Sequence, residues 1–320
     1  MSLRERFNLI GKKIAVMADI HSNYHAFKAC FDDAVRCGAD SFIFLGDYIS
    51  DFASPRETMD LVYRIKAKYP TVCLCGNREG YLLDHESGKR DFMRGSRSGS
   101  LLYTYEHLDK NDLDFFRGLK ISDTVEINGI PVEVAHASMD NDRFYFDSED
   151  GNIGEIFAGM KCEYLLTAHS HRQYVARECG KTVINPGSVG LPHGGTRNPK
   201  YALLSADSKG ISSILREVSY DIDAIIRAQF ESGLVDTASC WAIGVLYDAV
   251  TGEEWVLNLL KHVLEEGDAS DEELWRATAL HLGMKLTKEE ILEFSRNHGK
   301  KYNNRFRYEY HKKRNTDIGV

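Results

Sequence analysis

Seven polar side chains are spaced along the chain as metal ligands could be: Asp19, His21, Asp47, Asn77, His136, His169 and His171. Each follows an apolar run that reads as a buried strand. Residues 14–18 lead to Asp19-Ile20-His21, residues 41–45 to Gly46-Asp47, and residues 71–75 to Gly76-Asn77. Residues 131–135 lead to His136, and residues 164–168 to His169-Ser170-His171. A strand end is rigid, and side chains at i and i+2 point the same way, so Asp19 and His21 should face one ion from one side. Seven nitrogen and oxygen donors are too many for one ion and suit two. Asp47, which follows the central run, is the natural bridging carboxylate. Mixed His/Asp/Asn ligation favours a first-row transition metal over Mg or Ca. No cysteine joins the set, which argues against a closed structural zinc site. Two ions ~3.5–4 Å apart can hold a hydroxide between them and clamp a phosphoryl group during in-line displacement. Each piece alone is weak, since a lone strand-end histidine is usually a hydrogen-bonded structural residue. The ordered set carries the signal.

The elements that must position these residues follow from the apolar pattern. Three strands and two helices alternate over residues 14–75, a βαβαβ unit with parallel strands. The first helix, residues 24–37, has Asn23 as N-cap and Gly38 just past its end. The second has Ser54 as cap, Pro55 at its first position and Glu57 completing a capping box, and it ends near Lys68. In open α/β sheets ligands gather at the carboxyl ends of the strands, where Asp19, Asp47 and Asn77 stand. Residues 84–99, with Arg90, Arg94 and Arg97, read as a polar loop or lid, and residues 101–119 as one helix. Asn128-Gly129 marks a hairpin between residues 123–127 and 131–135. Residues 164–168 and 182–184 are further strands. Asn185-Pro186-Gly187-Ser188-Val189-Gly190 is a glycine-rich turn, and residues 201–205 and 211–218 form a last hairpin. After Ser219 the pattern turns helical, with helices over 222–232, 238–249, 253–266, 271–282 and 288–298. Ser270 to Glu273 and Thr287 to Glu290 read as capping boxes, and Gly233, Gly267, Gly283 and Gly299 as helix ends.

Composition narrows the classes. The 320 residues carry a formal net charge of −8, which argues against a general nucleic-acid binder with a broad basic surplus and leaves room for a local cationic pocket. Hydrophobic content of 43% and charged content of 28% are those of a globular protein. No apolar run approaches the ~20 residues of a membrane helix, and residues 1–8 lack a signal-peptide core. The seven cysteines are scattered, with no C-x-x-C pair, and read as small buried hydrophobes of a reducing compartment. A cytoplasmic location is the expectation.

Asp19-x-His21, Gly46-Asp47, Gly76-Asn77, His136 and His169-x-His171 resemble, in order, the motifs of the calcineurin-like metallophosphoesterases. The likeness runs from about Lys13 to Asp223. It is greatest to the compact bacterial and archaeal branch, phosphodiesterase-like, whose core ends in an Asn-Pro-Gly-Ser-Val-Gly turn. The resemblance implies an α/β fold of two packed mixed β-sheets flanked by helices. It implies that Asp19, His21 and His171 hold a first metal, that Asn77, His136 and His169 hold a second, and that Asp47 bridges them. The cofactors would be two divalent transition-metal ions, Mn, Fe, Zn or Ni, with Mn favoured. Catalytic roles would fall to Asn77, His136 and Arg78, which position the ester oxygens.

Two residues depart from the family pattern. Gly76-Asn77-Arg78-Glu79 has Arg78 where the family usually has a histidine that contacts the phosphate and helps the leaving group depart. Arg78 can donate bidentately to a phosphate oxygen but cannot be a general acid, so phosphate binding should persist and activity on poor leaving groups should fall. Pairing of Arg78 with Glu79 or a lid carboxylate is the structural alternative. Ala168 replaces a usual glycine, which is tolerated unless that position needs φ > 0.

The expected organisation is a metallophosphoesterase domain over residues 1–223, with 84–99 as its loop or lid, and a helical extension over 224–320. Arg90, Arg94 and Arg97 are candidate substrate contacts. His25 reads as non-ligating and His193 as a surface-loop residue. Phe294, Tyr302, Phe306, Tyr308 and Tyr310 should pack on the core or a partner subunit, so a homo-oligomer through the C-terminal helices is an expectation. The activity expected is hydrolysis of a phosphodiester or activated phosphate ester, on a phosphorylated small molecule or nucleotide. The rivals are a non-catalytic scaffold on the same fold and a phosphomonoesterase or protein phosphatase.

Overall fold

The computed structural model describes residues 8–9, 13–141 and 153–298. In chain order the first elements are β1 (Asn8–Leu9), β2 (Ile14–Met17), α1 (Tyr24–Arg36), β3 (Ser41–Phe44), α2 (Pro55–Lys68), β4 (Thr71–Cys73), α3 (Asn77–Glu86), α4 (Gly99–Glu106) and α5 (Lys110–Arg117). Then come β5 (Ser122–Ile127), β6 (Ile130–Ala135), α6 (Ile153–Gly159), β7 (Tyr164–Leu166), β8 (Gln173–Glu178), β9 (Lys181–Pro186), β10 (Lys200–Asp207) and β11 (Gly210–Glu217). The helices α7 (Ile222–Glu231), α8 (Leu234–Thr251), α9 (Trp255–Glu266) and α10 (Glu272–His281) follow, and residues 288–298 are helical.

The strands form two mixed sheets, one of five in the order β11-β10-β2-β3-β4 and one of six in the order β1-β5-β6-β7-β9-β8. β2, β3 and β4 are parallel, as the βαβαβ pattern requires, and β10 joins β2 antiparallel. Apolar residues on both faces of β2 explain its central place. Ile14 and Val16 point into the layer between the sheets, where they meet Val125, Val132, Val134 and Leu166 of the other sheet. Ala15 and Met17 point the other way, into a core with Phe27 of α1 and Val62 of α2. A strand buried on both faces reads as a continuous apolar run. A third core lies within the C-terminal helices, and Phe52 and Leu191 reach it from the loops after β3 and β9.

Several local readings change. The helix expected over 101–119 is two helices. Asp109 caps the second through the Asn111 and Asp112 N–H groups, and Asp112 reaches back to the Asp109 N–H at 2.9 Å. That reciprocal pair is itself a helix start. Asn23 caps α1 as expected, accepting from Ala26 N at 3.1 Å. Ser54 makes no capping bond although Pro55 opens α2, and α10 is capped by Asp271 rather than Ser270. Thr287 and Glu290 do bond each other, at 2.7 Å. α8 starts at Leu234, with a break at Ser239 (φ 48°). α3, α6 and β8 stand where no regular element was expected, and α3 shortens the polar loop to residues 87–98. Gly299, Tyr302, Phe306, Tyr308 and Tyr310 lie outside the described residues, whereas Phe294 packs 4.9 Å from the Tyr247 ring.

Candidate metal centre

The loops that follow β2, β3 and β4 are laced together before any side chain is considered. Asp19 N donates to Gly46 O at 3.1 Å, and Ile20 N and His21 N both donate to Asp47 O, at 2.7 and 3.0 Å. The Glu79 carboxylate, on the first turn of α3, accepts from the backbone N–H groups of Gly76, Asp47 and Tyr48 at 2.8–2.9 Å. Gly46 sits at φ +102°, and a Cβ there would overlap the Gly76 backbone, so glycine alone lets these two loops meet. Asp19, His21, Asp47, His169 and His171 all have φ between 52° and 67°. Left-handed backbone of this kind is uncommon outside glycine and costs ~1–3 kcal/mol per residue. Asp19 and His21 therefore converge because each turns back past the end of β2, and the strand alternation expected from their spacing is not the cause. Ala168 is outside the left-handed region and fits without a glycine.

These turns bring all seven sequence candidates together. Donor atoms of Asp19, His21 and His171 lie within 4.8 Å of one another, and so do those of Asp47, His136 and His169. Asp47 Oδ2 stands between the groups, 3.8 Å from His21 Nε2 and 3.5 Å from His136 Nε2. Asn77 Oδ1 is 3.1 Å from His136 Nε2.

The hydrogen bonds behind the rings decide which nitrogen faces inward. His136 Nδ1 donates to Leu45 O at 2.9 Å and His171 Nδ1 to Leu191 O at 2.8 Å. A carbonyl only accepts, so both Nδ1 atoms carry a proton and each ring turns its Nε2 to the site. His21 Nδ1 donates to Asp51 Oδ2 at 2.9 Å. The Nε2 atoms of His21 and His171 then face each other at 3.2 Å. Asp19 Oδ1 is buried and has no hydrogen-bond partner. Burial and the nearby Asp47 charge push the Asp19 carboxyl well above the usual carboxylate range. Burial first, and His136 second, lower His169 to about 4, and burial with His193 and His21 holds His171 well below the usual imidazole range. Converging Nε2 atoms, a buried carboxylate oxygen with no hydrogen-bond partner, and the lowered His169 and His171 imidazoles fit two divalent cations.

Above this floor opens a cavity of about 660 Å³. Arg78 lines it. Its backbone N–H donates to Asp47 Oδ1 at 2.8 Å, and its guanidinium is 3.4 Å from Asp51 Oδ2. Glu79, the partner weighed from sequence, is occupied with backbone N–H groups instead. The Arg78 Nε donor is buried and has no hydrogen-bond partner. Burial would raise the Asp51 carboxyl, but Arg78, His21 and the Trp241 N–H outweigh it and hold it far below the carboxylate range.

Arg90, Arg94 and Arg97 do not line the cavity. The Arg90 guanidinium lies 4.3 Å from the Tyr81 ring centroid, Arg94 donates to Thr237 Oγ1 at 3.3 Å, and Arg97 is exposed. Their loop docks on the C-terminal helices, where Ser96 bonds the Glu272 carboxylate. His193 is a correction in the other direction. It is buried, its ring centroid is 4.8 Å from that of His171, and it lines the cavity. Asp51 and Trp241 carried no sequence signal, since they meet across 190 positions of chain.

The fold is thus a two-sheet α/β sandwich with a paired acid–histidine centre at its strand ends. A family model described as the calcineurin-like phosphoesterase superfamily domain matches residues 13–209, and the chain belongs to that family. The uncharacterized protein MJ0912 of Methanocaldococcus jannaschii is 26% identical over 229 residues, covering 67% of this chain and 90% of that one. Two solved structures share the fold. The metallophosphoesterase from Sphaerobacter thermophilus has a TM-score of 0.59 at 19% identity, over 76% of this chain and 99% of its own. The hypothetical protein PH1004 from Pyrococcus horikoshii has a TM-score of 0.62 at 20% identity, over 73% and 98%. Among the described residues no helix is long and apolar enough to cross a membrane.

Proposed function

We propose that the protein is a phosphoesterase dependent on two divalent metal ions, acting on a phosphodiester or an activated phosphate ester. The observation that carries this reading is the pair of three-donor groups, with Asp47 Oδ2 of one 3.8 Å from His21 Nε2 of the other and ring nitrogens opposed at 3.2 Å. Asp19, His21 and His171 would hold one ion, His136, His169 and Asn77 the other, with Asp47 between. Bound there, divalent cations supply a nucleophilic water near neutral pH and neutralise charge on phosphoryl oxygens. Mixed imidazole and carboxylate donors suit a first-row transition metal, and manganese is the one we favour among them.

The protein's own groups do the remaining work. Leu45 O, Leu191 O and Asp51 hold the rings of His136, His171 and His21 with Nε2 inward. Arg78 presents a buried, unpartnered Nε donor at the cavity, placed to receive a phosphate oxygen. A guanidinium does not release its proton at working pH, so departure of the leaving group relies on its own acidity. This favours activated esters. The cavity walls, contributed in part by α8 and α9, suit a small organic phosphate better than a folded phosphoprotein.

The test is turnover of an aryl phosphodiester by purified protein with Mn²⁺. Asp47→Asn should lower kcat/KM by at least ~10³-fold, since it weakens both ion sites at once. Equal rates for the variant and the parent chain would sink the assignment.

A further inference from the structure

The cavity has two unlike sides. The metal-centre side carries the ligands and Arg78, whereas the opposite side comes from the C-terminal helices and is largely apolar: Trp241 and Val245 of α8, Val256 and Leu257 of α9. Leu191 adds a further apolar side chain. Asp248, Glu254 and the Trp241 N–H on that side have partners, whereas the lining His193 Nδ1 has no hydrogen bond. Asp248 Oδ1 accepts from Val256 N at 2.9 Å, which secures the first turn of α9. Glu254 Oε1 is 3.5 Å from both Arg172 Nη2 and His193 Nδ1. Trp241 Nε1 donates to Asp51 at 2.8 Å, leaving the hydrocarbon of its indole.

Leu257 is the telling residue. It is 49% exposed, on a helix whose other inward side chains, Val256, Leu259 and Val263, are buried. Among the described residues it is the one exposed large apolar side chain that lines this cavity. An apolar side chain at the mouth of a cavity with an ionic floor gains little from water and much from an apolar ligand group.

We propose that the substrate is a phosphodiester bearing an aryl or comparable apolar ester group, with its phosphate at the proposed metal ligands and Arg78 and that group against Trp241 and Leu257. The inference rests on the phosphoesterase reading for the position of the phosphate. It adds that the C-terminal helices select the organic part. A ring seated there leaves water, while a methyl group leaves the wall uncovered. A nucleoside would bring polar base edges against apolar side chains, where each edge left without a partner costs desolvation.

Three diesters with a common 4-nitrophenolate leaving group separate these outcomes: the phenyl, methyl and thymidine 5′ esters of 4-nitrophenyl phosphate, assayed with Mn²⁺. The phenyl ester should exceed the methyl ester in kcat/KM by at least ~10-fold, the scale on which apolar pockets discriminate. Leu257→Ala should reduce that ratio by about 3-fold or more, mainly through KM. Val35→Ala, which alters an exposed apolar residue outside the cavity, should leave it unchanged. Cleavage of all three esters with a phenyl-to-methyl ratio near one, or a thymidine ester preferred over the phenyl, overturns this inference and leaves the phosphoesterase reading standing. Binding provides a second measurement, by calorimetry of diphenyl and dimethyl phosphate with and without Mn²⁺. If no ester is cleaved, tighter binding of diphenyl phosphate that Leu257→Ala weakens supports the apolar wall while the phosphoesterase reading falls. Equal binding of the two overturns the inference.

Discussion

Asp51 accepts from Trp241 Nε1 through Oδ1 at 2.8 Å, while its Oδ2 faces His21 Nδ1 at 2.9 Å, Ser50 Oγ at 2.8 Å and Arg78 Nη2 at 3.4 Å. The carboxylate thus sets the tautomer and angle of one proposed ligand and balances the Arg78 guanidinium beside the proposed metals. Outer partners of this kind typically change metal affinity by ~10–100-fold when lost. Asp51→Asn should weaken Mn²⁺ binding by about that factor in calorimetry, and an unchanged affinity would remove Asp51 from the site. The convergence of the seven candidate residues was legible in the sequence because each is a side chain able to ligate a metal and each stands just after an apolar run. Asp51 was not, because a lone loop aspartate acquires its role from Arg78, Trp241 and His21, which arrive from three other parts of the chain. His193 was hidden for the same reason: only the folded loop after β9 brings it against His171. The reason for the Asp19/His21 pairing was also hidden, since left-handed φ at non-glycine residues leaves no compositional mark.

At the level of elements, sequential parallel pairing was readable and the second sheet was only partly so. β2, β3 and β4 are joined by short crossovers with clear helical periods, so their order follows from local pattern. β7 has three residues and β8 is half-exposed, and their places beside β9 are set by distant partners. The loop expected to be a lid is tied down by α8. Gly95 N donates to Thr237 O at 2.8 Å, and a Cβ on Gly99 would overlap the Thr237 carbonyl and lie 2.7 Å from Ala238 Cα. Gly99→Ala should therefore cost ~1–3 kcal/mol through overpacking against backbone that cannot yield, seen as a lower midpoint in urea unfolding. No shift in midpoint would mean that α4 and α8 can separate freely. A second junction joins α1 to β10 and β11. Asp33 accepts from Tyr201 OH and Arg216 Nη2, both at 2.8 Å, and pairs with Arg36. Burial would raise its carboxyl, but Arg36, Tyr201 and Arg216 outweigh that and hold it below the usual range. Arg36 is 71% exposed and adds little once solvent screening is counted. A carboxyl depressed in the folded state stabilises above its unfolded value of ~3.9, and that contribution is lost as pH falls through the lower folded value. Asp33→Asn should lower Tm at pH 7 and flatten its fall as pH drops below ~4. Parallel acid limbs for the two proteins would refute the assignment.

Considered whole, the molecule joins a family sandwich to helices that the family match, ending at residue 209, does not include. Composition suggested a division at residue 223, because strands cease and helical periods begin there. The contacts lead us to propose instead that both parts form one cooperative unit. Gln229 Nε2 of α7 donates to Asp51 O at 2.9 Å, and Trp241 of α8 donates to the Asp51 carboxylate. Phe52 and Leu191, from loops beside the metal centre, are buried in the apolar core of the extension. A chain ending at residue 223 would expose both and leave Asp51 without two of its donors. Small interfaces between independent domains permit separate transitions, whereas a shared core does not. The full chain should thus unfold in one calorimetric transition, with the metal-centre and helical signals lost together. The 1–223 fragment should bind Mn²⁺ at least ~10-fold more weakly than the full chain, through the same loss of outer support to His21. Two separate transitions, with full Mn²⁺ affinity retained by the fragment, would show that the helices are an appendage and that the metal centre is complete without them. A single transition with weakened binding would instead make the helical segment part of the machinery, since residues that hold Asp51 in place and residues that wall the cavity both lie on α8.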